Sequence, residues 1–193
     1  MFLGELVGLA TGAIGVLTTA FGAVAGAVTA VFGSTFGIVA AGLIVSKVAM
    51  NAIGKLMTRE KEEVEEIGDR IIQGEAQGIK MEDYESFEEF RAALNGVKLD
   101  PEKSKNIKPE EKNAAGMAFQ LKELELKYDF GIKGISELVS KNPEFENSEI
   151  LGNVIHELKE NGYSAKDVER YYAGELSDEE MEEIESIIVS SKQ

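Results

Sequence analysis

The chain has 193 residues and a formal net charge of −15 at pH 7, with 20 Lys and Arg against 35 Asp and Glu. Because binding to nucleic-acid phosphates needs clustered basic residues, this balance argues against direct nucleic-acid binding. The chain has no Cys, which excludes disulfides, thiolate catalysis and cysteine-ligated metals.

The charges are distributed so unevenly that the chain divides into unlike parts. Residues 1–57 contain only three charged residues, a net of +1, together with ten of the 20 glycines. Residues 58–193 therefore carry −16. We predict an apolar segment at 1–57, amphipathic helices and a connector at 58–107, and an acidic helical domain at 108–193.

The apolar segment is too long for one membrane-spanning helix. From Leu6 to Ser46, 41 consecutive residues carry no formal charge. One helix of this length would measure about 60 Å, roughly twice the hydrocarbon thickness of a bilayer. Small polar residues make Gly33–Thr35 the best candidate for a turn. The segment therefore predicts a helical hairpin, with helices at Glu5–Phe32 and Phe36–Met57.

Glycines of this segment recur at intervals of four residues, which places small residues along one helix face. Such faces let neighbouring helices approach closely in lipid, whereas in water each helical Gly costs about 1 kcal/mol relative to Ala. The pattern predicts self-association into a homo-oligomer. The residues predicted to pack helices in this way are Gly4, Gly8, Gly12, Gly22, Gly26, Gly33 and Gly37.

The sequence leaves three environments open for the apolar segment. Insertion into a lipid bilayer is favoured, and the basic residues that follow the hairpin, from Lys47 to Lys61, would place both ends on the cytoplasmic side. The alternatives are an oligomerisation arm buried among copies of itself in a soluble assembly and the core of a single soluble domain. A signal peptide is not predicted, because Glu5 lies where positive charge is expected.

After residue 57 the pattern changes to short amphipathic helices. A helix is predicted at Arg59–Gly74, able to continue directly from the second apolar helix. Ser86 and Glu89 form a capping box that begins the next helix. Lys98–Asn106 is predicted to be a connector.

The last part of the chain has the clearest helix signals. Helix starts are predicted from prolines, apolar stripes and N-cap serines. They lie at Pro109, Ile132, Ser148, Ser164 and Ser177. The last two serines are each followed three residues later by an acid, as in a capping box. No run alternates for long enough to require a strand, so an all-α bundle is predicted.

The sequence offers little for catalysis. His156 is the only histidine and is predicted to lie on the surface, so neither a triad nor a histidine-rich metal site can be assembled. The acid clusters at 60–66 and 178–185 lack the loop glycine and spaced ligands of an EF-hand, and no phosphate-binding loop is present. We therefore predict no enzyme, no catalytic residue, no cofactor and no metal site.

Two parts of the sequence resemble phage proteins. The runs GLATGAIGVLTTAFGAVAGAV and FGIVAAGLIVSKVAMNAIGKL resemble the Gly- and Ala-rich stretches of phage tape-measure and internal ejection proteins. That resemblance implies a virion component that helps DNA cross the cell envelope. Separately, YDFGIKGISELVSKNP and SDEEMEEIESIIVSSKQ resemble parts of tail-assembly chaperones, which are soluble helical proteins.

Three functional hypotheses follow. The first is a non-enzymatic virion or tail protein whose apolar hairpin self-associates and inserts into the host membrane during genome delivery, with other virion proteins as further partners. The second is a soluble assembly or adaptor protein whose apolar segment is buried against partners. The third is a cellular membrane protein with a cytoplasmic acidic interaction domain.

Overall fold

The structure is a computed structural model that describes Gly26, residues 28–57 and residues 59–192. All regular structure in these residues is helical and none is strand, which confirms the all-α prediction. Residues 28–32 are helical, and short 3-10 helices lie at Gly54–Leu56, Met81–Asp83 and Pro143–Glu146. The remaining helices are α1 Ser34–Val45, α2 Lys47–Ile53, α3 Lys61–Glu75, α4 Phe87–Asn95, α5 Pro101–Asn106, α6 Pro109–Tyr128, α7 Ile132–Lys141, α8 Ser148–Glu160, α9 Ala165–Ala173 and α10 Asp178–Ser190.

The chain forms two compact units, each assembled from segments that are distant in sequence. Unit 1 comprises the described residues up to Val45 together with Glu60–Phe119. Unit 2 comprises Ser46–Arg59 and Gln120–Gln193. The apolar segment therefore contributes to both units. The three predicted segments follow one another along the chain, whereas each unit combines two separated stretches of the sequence.

Aromatic residues form the centre of unit 1. Phe90 of α4 is fully buried, and its ring centroid lies 5.8 Å from that of Phe32 and 5.9 Å from that of Tyr84. Phe87, nearly one turn earlier, lies 4.9 Å from Phe119 of α6. Burying a side chain of this size stabilises a fold by about 1.5–3 kcal/mol. The apolar segment and the acidic helices therefore share one core in this unit.

Helix α7 is central to unit 2, where it packs against α2 and α9. Its apolar stripe is buried and consists of Ile132, Ile135, Leu138 and Val139. At Gly134 an added Cβ would lie 2.8 Å from the Cβ of Ala165. The small residue on α7 thus permits the close approach of α9.

Several helix boundaries follow directly from the sequence signals. α6 begins at Pro109, as predicted, and ends at Tyr128. The amide nitrogen of Ser164 donates to Asp167 Oδ2 at 2.9 Å, and that of Ser177 donates to Glu180 Oε2, also at 2.9 Å. Both capping boxes are therefore confirmed.

The predicted helix Phe36–Met57 is wrong, because the chain breaks at Ser46. The Ser46 backbone is extended, and its side-chain oxygen accepts a hydrogen bond from the amide of Ala49 at 3.3 Å, which caps α2. Nor does the apolar helix run on into α3, since Met57 and Glu60 are both extended.

Two further local predictions need correction. The predicted connector contains α5, whose N-cap is Asp100 with Pro101 at the first helical position. At the predicted capping box, Ser86 accepts from the amide of Glu89 at 3.2 Å. The Glu89 carboxylate, however, accepts from the amide of Glu85 at 3.2 Å, one residue before the position that a capping box requires.

Candidate functional site

Three of the glycines predicted to pack helices lie within the described residues. A Cβ added at Gly37 would lie 2.7 Å from the Cα of Thr29, so the chain folds back on itself in close contact here. The turn itself lies at Gly33, whose φ of +82° suits glycine. Gly26 is exposed, and no atom of the described residues lies within 4 Å of an added Cβ. The predictions outside the described residues concern Gly4, Gly8, Gly12 and Gly22.

The exposed side of α1 is apolar. The helix has no charged residue, and its Ala40 and Ala41 are fully buried in unit 1. On the other side Ile38 is 55% exposed and Gly42, one turn later, is exposed as well. The helix therefore presents an uncharged surface to its surroundings.

The next part of the apolar segment is enclosed in unit 2. Ala49, Ile53 and Leu56 are buried, and α2 packs against α7. Lys55 forms an ion pair with Glu146. These residues act as ordinary core positions of a helical protein.

By length and composition, no single helix in the described part of the chain is long and apolar enough to cross a membrane. Two stretches, Phe36–Ile44 and Ala49–Leu56, meet that requirement only when they are counted together across a bent break.

The acidic part of the chain contains close helix contacts through glycine that the sequence pattern did not indicate. A Cβ at Gly68 of α3 would overlap the carbonyl oxygen of Lys112 in α6. A Cβ at Gly116 of α6 would overlap the carbonyl oxygen of Val64 in α3 and lie 2.8 Å from its Cγ1. Single glycines without a repeat give no spacing signal, so only the structure identifies this contact.

A buried polar cluster joins α3, α5 and α6 in unit 1. Asp69 Oδ1 accepts from Gln73 Nε2 at 2.8 Å, and Asp69 Oδ2 lies 3.1 Å from Lys112 Nζ. Ser104 donates to Asp69 and accepts from Lys112 at 2.7 Å. The Gln73 side chain also accepts from the amide of Asp100 at 2.9 Å, which fixes the N-cap of α5.

The electrostatics of this cluster favour a structural role. Burial opposes ionisation of Asp69 most strongly, but hydrogen bonds from Ser104, Gln73 and Lys112 outweigh it, so the pKa of Asp69 lies below its ordinary value. The Ser104 hydroxyl is engaged in both directions, because it donates to Asp69 and accepts from Lys112. The arrangement orders three helices and does not activate the Ser104 hydroxyl.

The run that resembles tail-assembly chaperones contains FGIK at residues 130–133, and packing explains these residues. Phe130 and Ile132 are buried, and Lys133 pairs with Glu169 at 2.6 Å. Asp129 just before it has a φ of +46°, the one non-glycine residue with positive φ among the described residues. Asp129 directly follows the last residue of α6. The amide of Phe130 donates back to the Glu125 carbonyl at 3.2 Å.

The lone histidine of the chain lies in α8. His156 is on the surface as predicted, with its side chain 71% exposed and its Nε2 3.3 Å from Glu160. Within the part of the chain that the structure describes, no group of three or more metal-ligating side chains could hold an ion.

Comparison with protein-family models, curated proteins and solved structures gives no match for this chain. The class is therefore defined by the structure itself. It is an all-α protein in which one apolar segment supplies core residues to two helical units, each built from two separated stretches of the sequence.

Proposed function

We propose that this chain is a non-enzymatic component of a phage-type particle, carried in the virion or tail, that inserts its apolar hairpin into the host membrane during genome delivery. Copies of the chain, the lipid bilayer and other virion proteins are its partners. The observation that carries the proposal is the uncharged α1 with Ile38 exposed. The resemblance of the apolar segment to internal ejection proteins agrees with it.

The length of α1 limits how the hairpin enters lipid. Twelve residues form a helix of about 18 Å, whereas the hydrocarbon core of a bilayer is about 30 Å thick. We therefore propose that α1 enters the bilayer with the turn at Gly33 leading, which requires Phe32 to leave its contact with Phe90 in the core of unit 1. The acidic helices remain in water.

A second candidate is the soluble assembly or adaptor protein, and a different observation favours it. Ala49, Ile53 and Leu56 are buried inside unit 2, where they serve as core residues. In this case the apolar segment builds the protein and contacts only protein. Both candidates agree with the resemblance to phage proteins. They differ in whether the apolar segment contacts a membrane.

Liposome flotation of the full chain tests the proposal. The variant Ile38→Glu places a charge on the exposed face of α1, and Val189→Glu is the matched control because Val189 is 51% exposed on α10. A charge at the centre of an inserted helix costs about 2.5–3.5 kcal/mol. We expect the unmodified chain and Val189→Glu to float with lipid, and Ile38→Glu to bind at least tenfold more weakly.

A chain that stays soluble without detergent and never floats would overturn the membrane proposal and leave the adaptor candidate. Equal flotation of Ile38→Glu would also contradict it, because α1 would then not be the inserted element.

Self-association is tested separately. Gly26 is exposed and an added Cβ meets no atom of the described residues, so Gly26→Leu covers the small-residue face without a clash with them. Light scattering should show smaller oligomers for this variant. Ala92→Leu, at an exposed position of α4, is the control and should leave the size unchanged. If Gly26→Leu leaves the oligomer unchanged, the glycine face is not the contact.

A further inference from the structure

Part of the surface that α1 would turn to lipid is buried within unit 1. Apolar side chains lie on two sides of this helix, because Ala40 and Ala41 are fully buried while Ile38 is 55% exposed. A helix that is apolar on all sides is typical of a protein core or of a membrane. Unit 1 and a bilayer therefore compete for the same residues, and the contacts within unit 1 decide between them.

Phe32 is the main anchor of the hairpin in unit 1. Among the buried residues that the structure describes between positions 28 and 45, it has the largest side chain. Its ring meets the ring of Phe90 edge to face, with the centroids 5.8 Å apart and the planes at 76°. Such a pair stabilises a contact beyond the area that it buries. Phe90 also lies 6.1 Å from Phe87 and 5.9 Å from Tyr84, so its position does not depend on Phe32 alone.

The backbone at both ends of α1 suits a helix that leaves unit 1 as one piece. The chain turns at Gly33, where φ is +82°. At the other end Ser46 is extended, and its side-chain oxygen accepts from the amide of Ala49. Withdrawal of α1 therefore leaves the capping bond of α2 intact, and α2 keeps its packing against α7 in unit 2.

We propose that the contact between Phe32 and Phe90 is autoinhibitory: it keeps the hairpin in unit 1 and sets how readily the chain enters a bilayer. This inference rests on the proposed function, because it takes α1 as the inserted element. The apparent affinity for lipid is the intrinsic affinity multiplied by the fraction of molecules in which the contact is open. A weaker contact therefore raises the apparent affinity even when the hairpin itself is unchanged.

Flotation of the full chain with phosphatidylcholine vesicles tests this inference, and the zwitterionic lipid avoids repulsion of the acidic chain. Phe90→Leu removes the ring that faces Phe32 and leaves the hairpin unaltered. We expect half-maximal flotation at a lipid concentration about threefold lower than for the unmodified chain. Phe145→Leu is the matched control, because Phe145 is as fully buried as Phe90 but lies in unit 2. It should float like the unmodified chain.

A second measurement follows position 32 itself. The chain has no Trp, so Phe32→Trp supplies a single emitter. With phosphatidylcholine that is brominated on its acyl chains, we expect a loss of this emission, because position 32 adjoins the turn that leads into the bilayer. Val189→Trp is the control, since Val189 is exposed on α10, and its emission should persist.

Two results would overturn the autoinhibitory contact and leave the membrane proposal standing. The unmodified chain floats but Phe90→Leu floats no better, or Phe145→Leu improves flotation by as much. If Phe90→Leu fails to fold by circular dichroism, Phe32→Trp decides, and flotation without quenching shows that residue 32 stays in unit 1. If neither the unmodified chain nor Phe90→Leu floats, the proposed function is overturned together with this inference.

Discussion

Lys112 Nζ lies 3.1 Å from Asp69 Oδ2, and both side chains are largely withdrawn from solvent, at 16% and 6% exposure. An ion pair in such surroundings stabilises a fold only when its other polar atoms are satisfied. Ser104 and Gln73 meet that condition here, because each donates a hydrogen bond to the Asp69 carboxylate. The cluster thereby ties the short α5 to two longer helices.

We expect Asp69→Asn to lower the free energy of unfolding by about 3 kcal/mol at pH 7, because Lys112 loses its buried counter-charge. The folded-state pKa of Asp69 lies below its ordinary value of 3.8, so the unfolded chain binds more protons as the pH falls. The contribution of Asp69 is thus fully present above that value and is lost as the pH falls through the folded-state pKa.

Urea unfolding between pH 3 and pH 7 measures this effect. The stability difference between the unmodified chain and Asp69→Asn should shrink as the pH is lowered, while Asp83→Asn, at an exposed position, should match the unmodified chain. A difference that stays constant with pH would show that Asp69 does not gain stability from its ionised form.

The crossing of α3 and α6 predicts an unusual sensitivity to alanine. At Gly68 an added Cβ meets backbone atoms of Lys112, which cannot move aside as a side chain can. We expect Gly68→Ala to lower the free energy of unfolding by about 3 kcal/mol. Gly152→Ala in α8 is the control. Among the described residues only the Tyr128 ring lies near, at 3.8 Å, and alanine should stabilise that helix by up to about 1 kcal/mol.

Thermal unfolding of both variants gives the measurement. If Gly68→Ala unfolds at the same temperature as the unmodified chain, α3 and α6 do not cross in backbone contact at this point.

Most helix boundaries in the acidic part of the chain could be predicted because they depend on local chemistry. A proline at the first position begins α6, and serine–acid pairs begin α9 and α10, through bonds that span only three residues. Asp100 and Pro101 are equally local signals, and they indicate the start of α5 in the same way.

The break at Ser46 could not be predicted in this way. A serine within an uncharged run fits both a continuous helix and a cap, and its neighbours Ala49 and Ile53 are apolar in either case. Tertiary packing decides between them, because Ile53 is buried in unit 2 while Val45 ends a helix of unit 1.

The close contact at Gly37 predicts a difference between two of the glycines expected to pack helices. Gly37→Ala would place a methyl group 2.7 Å from the Cα of Thr29, and we expect a loss of about 1–3 kcal/mol in unfolding free energy. Gly26→Ala has open space and should be neutral or stabilising. Urea unfolding of both variants is the measurement, and equal effects would contradict the fold-back at Gly33.

Tyr172 predicts a stability change at high pH. The Tyr172 hydroxyl accepts a hydrogen bond from Asn142 Nδ2 at 2.7 Å, and Asn142 also donates to the Leu138 carbonyl at 2.8 Å. Burial raises the pKa of Tyr172 to about 12 from an ordinary value of 10.0, because the phenolate is poorly solvated there. The unfolded chain therefore releases this proton first, and the stability that Tyr172 contributes is lost as the pH rises from about 10 towards 12.

Tyr172→Phe should cost about 1 kcal/mol near neutral pH, through the lost hydrogen bond. It should also lose less stability than the unmodified chain between pH 9 and pH 12. Tyr128→Phe is the control, because the Tyr128 hydroxyl donates only a long bond of 3.3 Å to the Ser148 carbonyl. The pKa of Tyr163 is also raised to about 12, by its hydrogen bond to Glu183. Because Tyr163 is present in every variant, it causes the same loss of stability at high pH in each. If the alkaline decline of Tyr172→Phe equals that of the unmodified chain, the Tyr172 phenol is not the buried group that this contact requires.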